Sequence, residues 1–241
     1  MTPAERLELE LAEARSVFYG FLSRALLTEP SPSFLAGLRS DEAVEHLLEM
    51  FPDADYQEEL AHLQLECREG RLTVDEVALD FEGLFRVPGS RYLSPYESVY
   101  RPQLSGVQGR LWGPETAAVE QYYLREGLEP SQGCSELPDH VGVELEFMSH
   151  LCRQAAAALR AGDPAARQYQ LKQQHFFREH LGTWGRALAG RLASQAQTSL
   201  YRFLGNLLNL FLIQEDNRFQ AEGGCPAVEA PGACLEAEVR Q

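Results

Sequence analysis

The chain has 241 residues, 44% of them hydrophobic, with 21 Lys and Arg against 36 Asp and Glu and a net charge of −15. That apolar content supports a sizeable core and excludes a disordered chain. The negative balance argues against nucleic acid or an anionic membrane as the main partner, and favours a partner with a basic segment.

Almost every segment repeats at helical period. Thr2-Pro3-Ala4-Glu5 is a capping box with Pro at the first helical position, and it opens a helix carrying Leu7, Leu11, Phe18, Leu22 and Ala25. Glu29-Pro30-Ser31-Pro32 ends it. A short helix around Phe34 and Leu38 follows, then one from Asp41 to Met50. Tyr56, Leu60, Leu63 and Cys67 form the next seam. Thr73 and Glu76 make a second capping box, ahead of a face with Val77, Phe81, Leu84 and Phe85 that Pro88-Gly89 stops.

Residues 87 to 114 form the longest irregular stretch, rich in Pro, Gly, Ser and Tyr. Loops of this length are uncommon inside a domain and often functional. Ser94-Pro95-Tyr96-Glu97 predicts a third capping box and a helical turn within it. A loop this long also permits a domain-swapped homodimer.

Pro114 opens a helix ending near Gly127, and a turn-rich connection runs from Glu129 to Pro138. Val141, Leu145, Met148, Cys152, Ala155 and Leu159 mark the clearest helix, which Gly162 caps. Asp139 is placed to cap its start. Asp163-Pro164 begins the following helix, with Tyr169, Phe176 and Phe177. Trp184, Leu188 and Leu192 mark another, and the last runs from about Thr198 to Glu215. No β-rich alternation competes. The expected fold is therefore all-α, a single-domain helical bundle of about nine to ten helices over residues 1–220. Residues 221–241, with Cys225, Cys234 and several Glu, read as a flexible acidic tail.

The five cysteines show no C-x-x-C and no disulfide framework. No secretory or twin-arginine signal pattern opens the chain, and the most apolar stretch, Leu200 to Ile213, is shorter than a membrane span. The expected location is cytoplasmic, without membrane insertion. The sequence lacks G-x-S-x-G, P-loop, G-x-G-x-x-G and H-E-x-x-H motifs. His140 with Glu144, and Glu146 with His150, stand four apart, a spacing that serves metal ligation or ordinary helix-surface pairing. A metal-dependent helical enzyme using these four residues is one alternative reading; a structural adaptor between enzyme subunits is another.

Two places point elsewhere. Phe81-Glu82-Gly83-Leu84-Phe85 is followed by Pro88-Gly89 and then by Ser94-Pro95-Tyr96-Glu97-Ser98-Val99-Tyr100. Further on comes Glu136-Leu137-Pro138-Asp139-His140, with Glu144-Leu145 one turn later. Together with Leu111-Trp112-Gly113 and Leu200-Tyr201-Arg202-Phe203-Leu204-Gly205, in this order, the chain resembles the TorD/DmsD/NarJ group of redox-enzyme maturation chaperones over roughly residues 10 to 215. Phe81 stands where relatives often carry Trp or Tyr, and Leu137 where they carry Pro.

The resemblance implies a non-enzymatic chaperone, TorD/DmsD-like in fold, whose partner is the catalytic subunit of a molybdopterin oxidoreductase. Such a chaperone binds the N-terminal segment of that subunit, commonly a twin-arginine signal, or its apo form, and assists its cofactor insertion, assembly and export. For the chaperone itself no metal or cofactor is expected; guanine-nucleotide or molybdopterin binding has been proposed for some members of the group. On this reading Phe81, Leu84, Phe85 and Tyr96 supply an apolar groove for the peptide, Asp139, Glu144 and Glu97 its acid, and Gly113, Pro138 and His140 its frame.

Overall fold

A computed structural model describes residues 1–41, 54–129 and 135–222. The helix expected over Asp41 to Met50, apart from Asp41, lies outside the described residues, as do the middle of the connection before Pro138 and the tail beyond residue 222. Ten α-helices and one π-helical turn make up the described chain, with no strand among the described residues. The helices are α1 (Pro3–Leu27), α2 (Pro32–Gly37), α3 (Ala54–Glu69), α4 (Val74–Phe81), α5 (Glu97–Leu104), α6 (Pro114–Arg125), α7 (Val141–Ala161), α8 (Ala165–Glu179), α9 (Leu181–Gln195) and α10 (Ser199–Glu222). The expected all-α class is what the chain adopts.

Local chemistry sets many helix ends. Both side chains of the Thr2–Glu5 and Thr73–Glu76 boxes bond reciprocally to backbone N–H groups. Gly162 closes α7 in the left-handed region at φ 64, which a side chain would make costly. Two expectations need correction. Ser94 does not cap α5: the helix begins at Glu97 with Tyr96 as its unassisted N-cap. The final helix runs seven residues past the expected Glu215, to Glu222, because Phe219 is itself buried and keeps the last turns attached.

The longest shared interface joins α1 to α7. Small residues let the two backbones approach: Ser23 Oγ donates to the Gly142 carbonyl at 2.7 Å, and Ser149 Oγ to the Ser16 carbonyl at 2.7 Å. α7 in turn packs on α8, α9 lies along α10, and α3 and α4 rest against α10. At the α9–α10 crossing a Cβ on Gly205 would sit 2.5 Å from the Ala193 nitrogen, so only glycine fits.

One core joins these layers. Trp184, Tyr19, Tyr100, Tyr201, Phe81, Phe176 and Phe219 are its largest fully buried side chains, each worth about 1.5–3 kcal/mol or more by apolar burial. A buried ion pair crosses it. Arg15 on α1 donates to both carboxylate oxygens of Glu215 on α10, at 2.7 Å from Nε, and to Gln173 on α8 at 2.7 Å. The Tyr19 hydroxyl donates to the same carboxylate at 2.6 Å. Cys67 and Cys152 are buried free thiols, as their helix faces predict.

Candidate functional site

The α4 face reaches the site region through a change of helix type. Glu82–Arg86 continues α4 as a single π-helical turn, closed by the Val87 N–H on the Glu82 carbonyl at 2.8 Å. The wider turn lets two consecutive side chains, Leu84 and Phe85, both face inward, and such turns recur at functional sites. Phe81, Leu84 and Phe85 are buried: Phe81 and Phe85 stand with ring centroids 6.2 Å and 6.0 Å from Tyr201 on α10. They are part of the core and back the site from within.

The loop after them is tied down twice. The Leu93 N–H donates to the Leu84 carbonyl at 2.7 Å. Asp80, 2% exposed, accepts from the Thr198 N–H and hydroxyl, each at 2.8 Å, from the Gln197 N–H at 3.0 Å, and pairs with Arg91 at 2.5 Å. One carboxylate thus holds the residues just before α10 and anchors the loop, while the Thr198 hydroxyl accepts the Tyr201 N–H of the first turn at 3.4 Å.

Beyond Leu93 the two motif stretches meet. Tyr96 and His140 form an isolated antiparallel bridge, with the Glu97 N–H on the Asp139 carbonyl at 2.9 Å and the Val141 N–H on the Pro95 carbonyl at 2.8 Å. Their rings stand edge to face, centroids 5.2 Å apart. Asp139 does not cap α7, contrary to expectation. Its carboxylate turns across the bridge and accepts the Ser98 N–H of α5 at 2.9 Å. His140 is the α7 cap instead, its Nδ1 accepting from the Gly142 N–H at 3.0 Å. Burial holds the His140 pKa down at about 4, so the ring is neutral near pH 7, as an accepting Nδ1 requires.

The acids gathered here are deeply buried. Glu97, Asp139 and Glu144 are all 0% exposed. Glu97 is paired with Arg101 at 2.7 Å and with His180 Nδ1 at 2.8 Å. Among the described residues Glu144 accepts only the Trp184 indole N–H, at 3.3 Å, and burial, with Glu97 and Asp139 nearby, pushes its pKa well up. Asp139 Oδ1, Glu144 Oε1 and the hydroxyls of Ser98 and Thr116 have no partner among the described residues. Gly113 is the N-cap of α6, and a Cβ there would lie 3.0 Å from that of Ser98.

Tyr96 and Pro138 are half-buried and face outward in part. The Tyr96 hydroxyl donates to Glu136 at 2.5 Å, and the Tyr123 hydroxyl to the Pro138 carbonyl at 2.8 Å. His180, Trp184 and Tyr123 are not legible from the sequence as members of this cluster, since their partners lie far along the chain; only the Tyr122-Tyr123 pair on a short helix hints at it. Among the described residues no three His, Cys, Asp or Glu side chains are grouped to hold a metal. His140 already accepts a backbone N–H and Glu144 faces an indole, so this pair is committed elsewhere. A cavity of about 930 Å³ offers an anionic nucleotide Arg71 and Arg202 against Asp55, Glu58, Glu59, Glu66 and Glu76, a poor fit for phosphates. No helix among the described residues is long and apolar enough to cross a membrane.

An all-helical body thus brings these two motif stretches together. Residues 52–189 match the family described as nitrate reductase delta subunit. Chaperone protein TorD of Shewanella pealeana is 25% identical over 203 residues, covering 81% of this chain and 85% of that protein. Chaperone protein TorD of Vibrio cholerae is 28% identical over 211 residues, 85% and 91% of the two chains. The chlorate reductase assembly chaperone protein of Ideonella dechloratans is 33% identical over 136 residues, 56% and 65%. The chain belongs to the nitrate reductase delta subunit family, to which the TorD-type chaperones are related.

Proposed function

We propose that the protein is a cytoplasmic chaperone that holds the N-terminal segment, a twin-arginine signal, of a molybdenum-cofactor oxidoreductase subunit during cofactor insertion, assembly and export. The observation that carries this reading is the Tyr96–His140 bridge. It joins two stretches far apart in the chain into one unit, beside a surface of a protein with net charge −15. Tyr96 and Pro138 make contact with the bound segment. Phe81, Leu84, Phe85, Gly113, His140 and the buried acids Glu97, Asp139 and Glu144 hold that surface in shape.

A twin-arginine leader combines a dicationic start with an apolar run. Each large apolar side chain buried contributes about 1.5–3 kcal/mol, while an exposed Arg–carboxylate pair contributes about 1 kcal/mol or less. Affinity therefore comes mainly from apolar contact, and charge sets orientation and on-rate.

Calorimetry with a panel of leader peptides tests the reading. An Arg-Arg leader is expected to bind and its Ala-Ala version to bind more weakly. An unexported client would instead present an N-terminus without the pair, and the same panel includes one. A protein that binds no leader of either kind, and captures no molybdoenzyme subunit, does not have this function.

A further inference from the structure

Beside the Asp139–His140 junction, the outer face of α7 carries a hollow of about 230 Å³. That is below the roughly 300–1,000 Å³ of pockets for drug-sized ligands, and suits a single side chain. Tyr123, Val143 and Phe147 form its apolar floor, and Glu136 and Glu146 stand at its rim. Val143, Glu146 and Phe147 share one helix face by their spacing of three and four.

The floor is rigid and aromatic. Tyr123 and Phe147 pack with centroids 4.7 Å apart, and the Tyr123 hydroxyl is fixed on the Pro138 carbonyl at 2.8 Å. Glu136 is held in place by the Tyr96 hydroxyl at 2.5 Å. Burial, with the carboxyl groups of Glu144, Asp139 and Glu97 nearby, drives the Tyr123 phenol pKa well up. The carboxylates of Glu136 and Glu146 therefore give the hollow a negative edge. Arg153 and His150 line it too, and burial together with Arg153 lowers the His150 pKa, which keeps that ring neutral near pH 7.

Resting on the function proposed above, we propose that this hollow seats one arginine side chain of the client leader. Its aliphatic stem lies on Val143, its guanidinium plane on the half-buried Tyr123 ring, and its N–H groups donate to Glu136 and Glu146. A planar guanidinium stacks on aromatic faces and forks onto carboxylates; a lysine ammonium does neither as well.

Two measurements test this. In the first, a leader peptide is titrated into wild type, Glu146→Gln, the Glu136→Gln/Glu146→Gln double variant and Val143→Trp, which fills the hollow; thermal melts verify that each is folded. At least a tenfold weaker binding by the double variant and by Val143→Trp is expected, with Glu146→Gln between. If wild type binds the leader and the folded variants bind it equally well, the hollow is not the seat and the wider function stands. In the second, N-acetylarginine amide and its neutral isostere N-acetylcitrulline amide are titrated into ¹⁵N-labelled full chain. Saturable shifts at Val143, Glu146 and Phe147 with the arginine probe alone are expected. If wild type binds no leader, the proposed function fails, and this second titration alone decides the hollow: equal or absent shifts overturn it.

Discussion

Asp139 immediately precedes the α7 cap, yet its carboxylate caps α5, accepting the Ser98 N–H at 2.9 Å across 41 positions of sequence. α5 is only 8 residues long and contains Pro102, so it has little stability of its own. Removing such a cap costs about 1–2 kcal/mol. Asp139→Ala is expected to lower stability by that amount in urea denaturation, and Asp139→Asn, which keeps an acceptor, by less. Equal stability of Asp139→Ala and wild type would show that the bond contributes nothing.

Asp80 serves three donors of the α9–α10 junction as well as Arg91. Asp80→Ala removes the acceptor of three part-buried donors and leaves Arg91 unpaired, and is expected to cost about 2–3 kcal/mol. Arg91 is 28% exposed, so screening reduces its share, and Arg91→Ala is expected to cost about 1 kcal/mol. Hydrogen exchange should accelerate at residues 197–201 in Asp80→Ala and hardly at all in Arg91→Ala. Unchanged protection there in Asp80→Ala would refute the anchoring.

The Arg15–Glu215 pair separates ion-pair energy from packing. Its side chains are 6% and 4% exposed. Glu215→Leu alone leaves Arg15 buried without a carboxylate and is expected to cost about 3–5 kcal/mol, and Arg15→Met less, because Glu215 keeps Arg218 at 3.2 Å and Tyr19 at 2.6 Å. The double variant should recover most of that loss. A double variant as unstable as the sum of the singles would mean that the two residues act independently.

Two buried groups at the junction give opposite pH slopes. The His140 pKa falls from 6.5 to about 4 on folding. Below pH 6.5 the unfolded chain takes up a proton that the native ring refuses, so stability falls by up to ~3 kcal/mol between pH 6.5 and 4. His140→Asn keeps a side-chain acceptor for the cap and should flatten that slope. The Glu144 pKa is raised by burial and by Glu97 and Asp139. Its contribution is present below the unfolded value of 4.5 and is lost as pH climbs from there. Glu144→Gln should therefore be more stable than wild type at pH 7, and equal to it near pH 4. Denaturation midpoints across pH 4–8 measure both slopes, and a less stable Glu144→Gln at pH 7 would contradict the assignment.

Trp112 sits in the left-handed region at φ 60 while 70% exposed. A bulky residue there is strained by about 1 kcal/mol, and such strain tends to persist where it serves function. Trp112→Gly is expected to raise stability by about 1 kcal/mol and to weaken leader binding. A variant that is more stable and binds as before would leave the exposed indole without a role in docking.

Features set within a few residues are legible in the sequence. The Thr2–Glu5 and Thr73–Glu76 boxes, the left-handed Gly162 and the seam from Val141 to Ala155 all follow from neighbouring side chains and helical period. Features set by distant partners are not. Ser94-Pro95-Tyr96-Glu97 has the form of a capping box, but the backbone of Pro95 is engaged by Val141 and the α5 N–H is served by Asp139. The acids read as a groove's charged end are buried, because Arg101, His180 and Trp184 arrive from other turns and helices to meet them. Periodicity marks which face of a helix turns inward; it does not say which carboxylate another helix will satisfy.

The long reach of Asp139 also bears on how the chain comes off the ribosome. At 5–20 residues per second, the 41 positions separating it from Ser98 take roughly 2–8 s to synthesise. Throughout that interval the nascent Pro/Tyr segment has emerged without its lock, and it acquires its final shape only once the start of α7 is made. A translational pause placed between the two stretches would prolong this window and expose the segment to nascent-chain proteases and foldases.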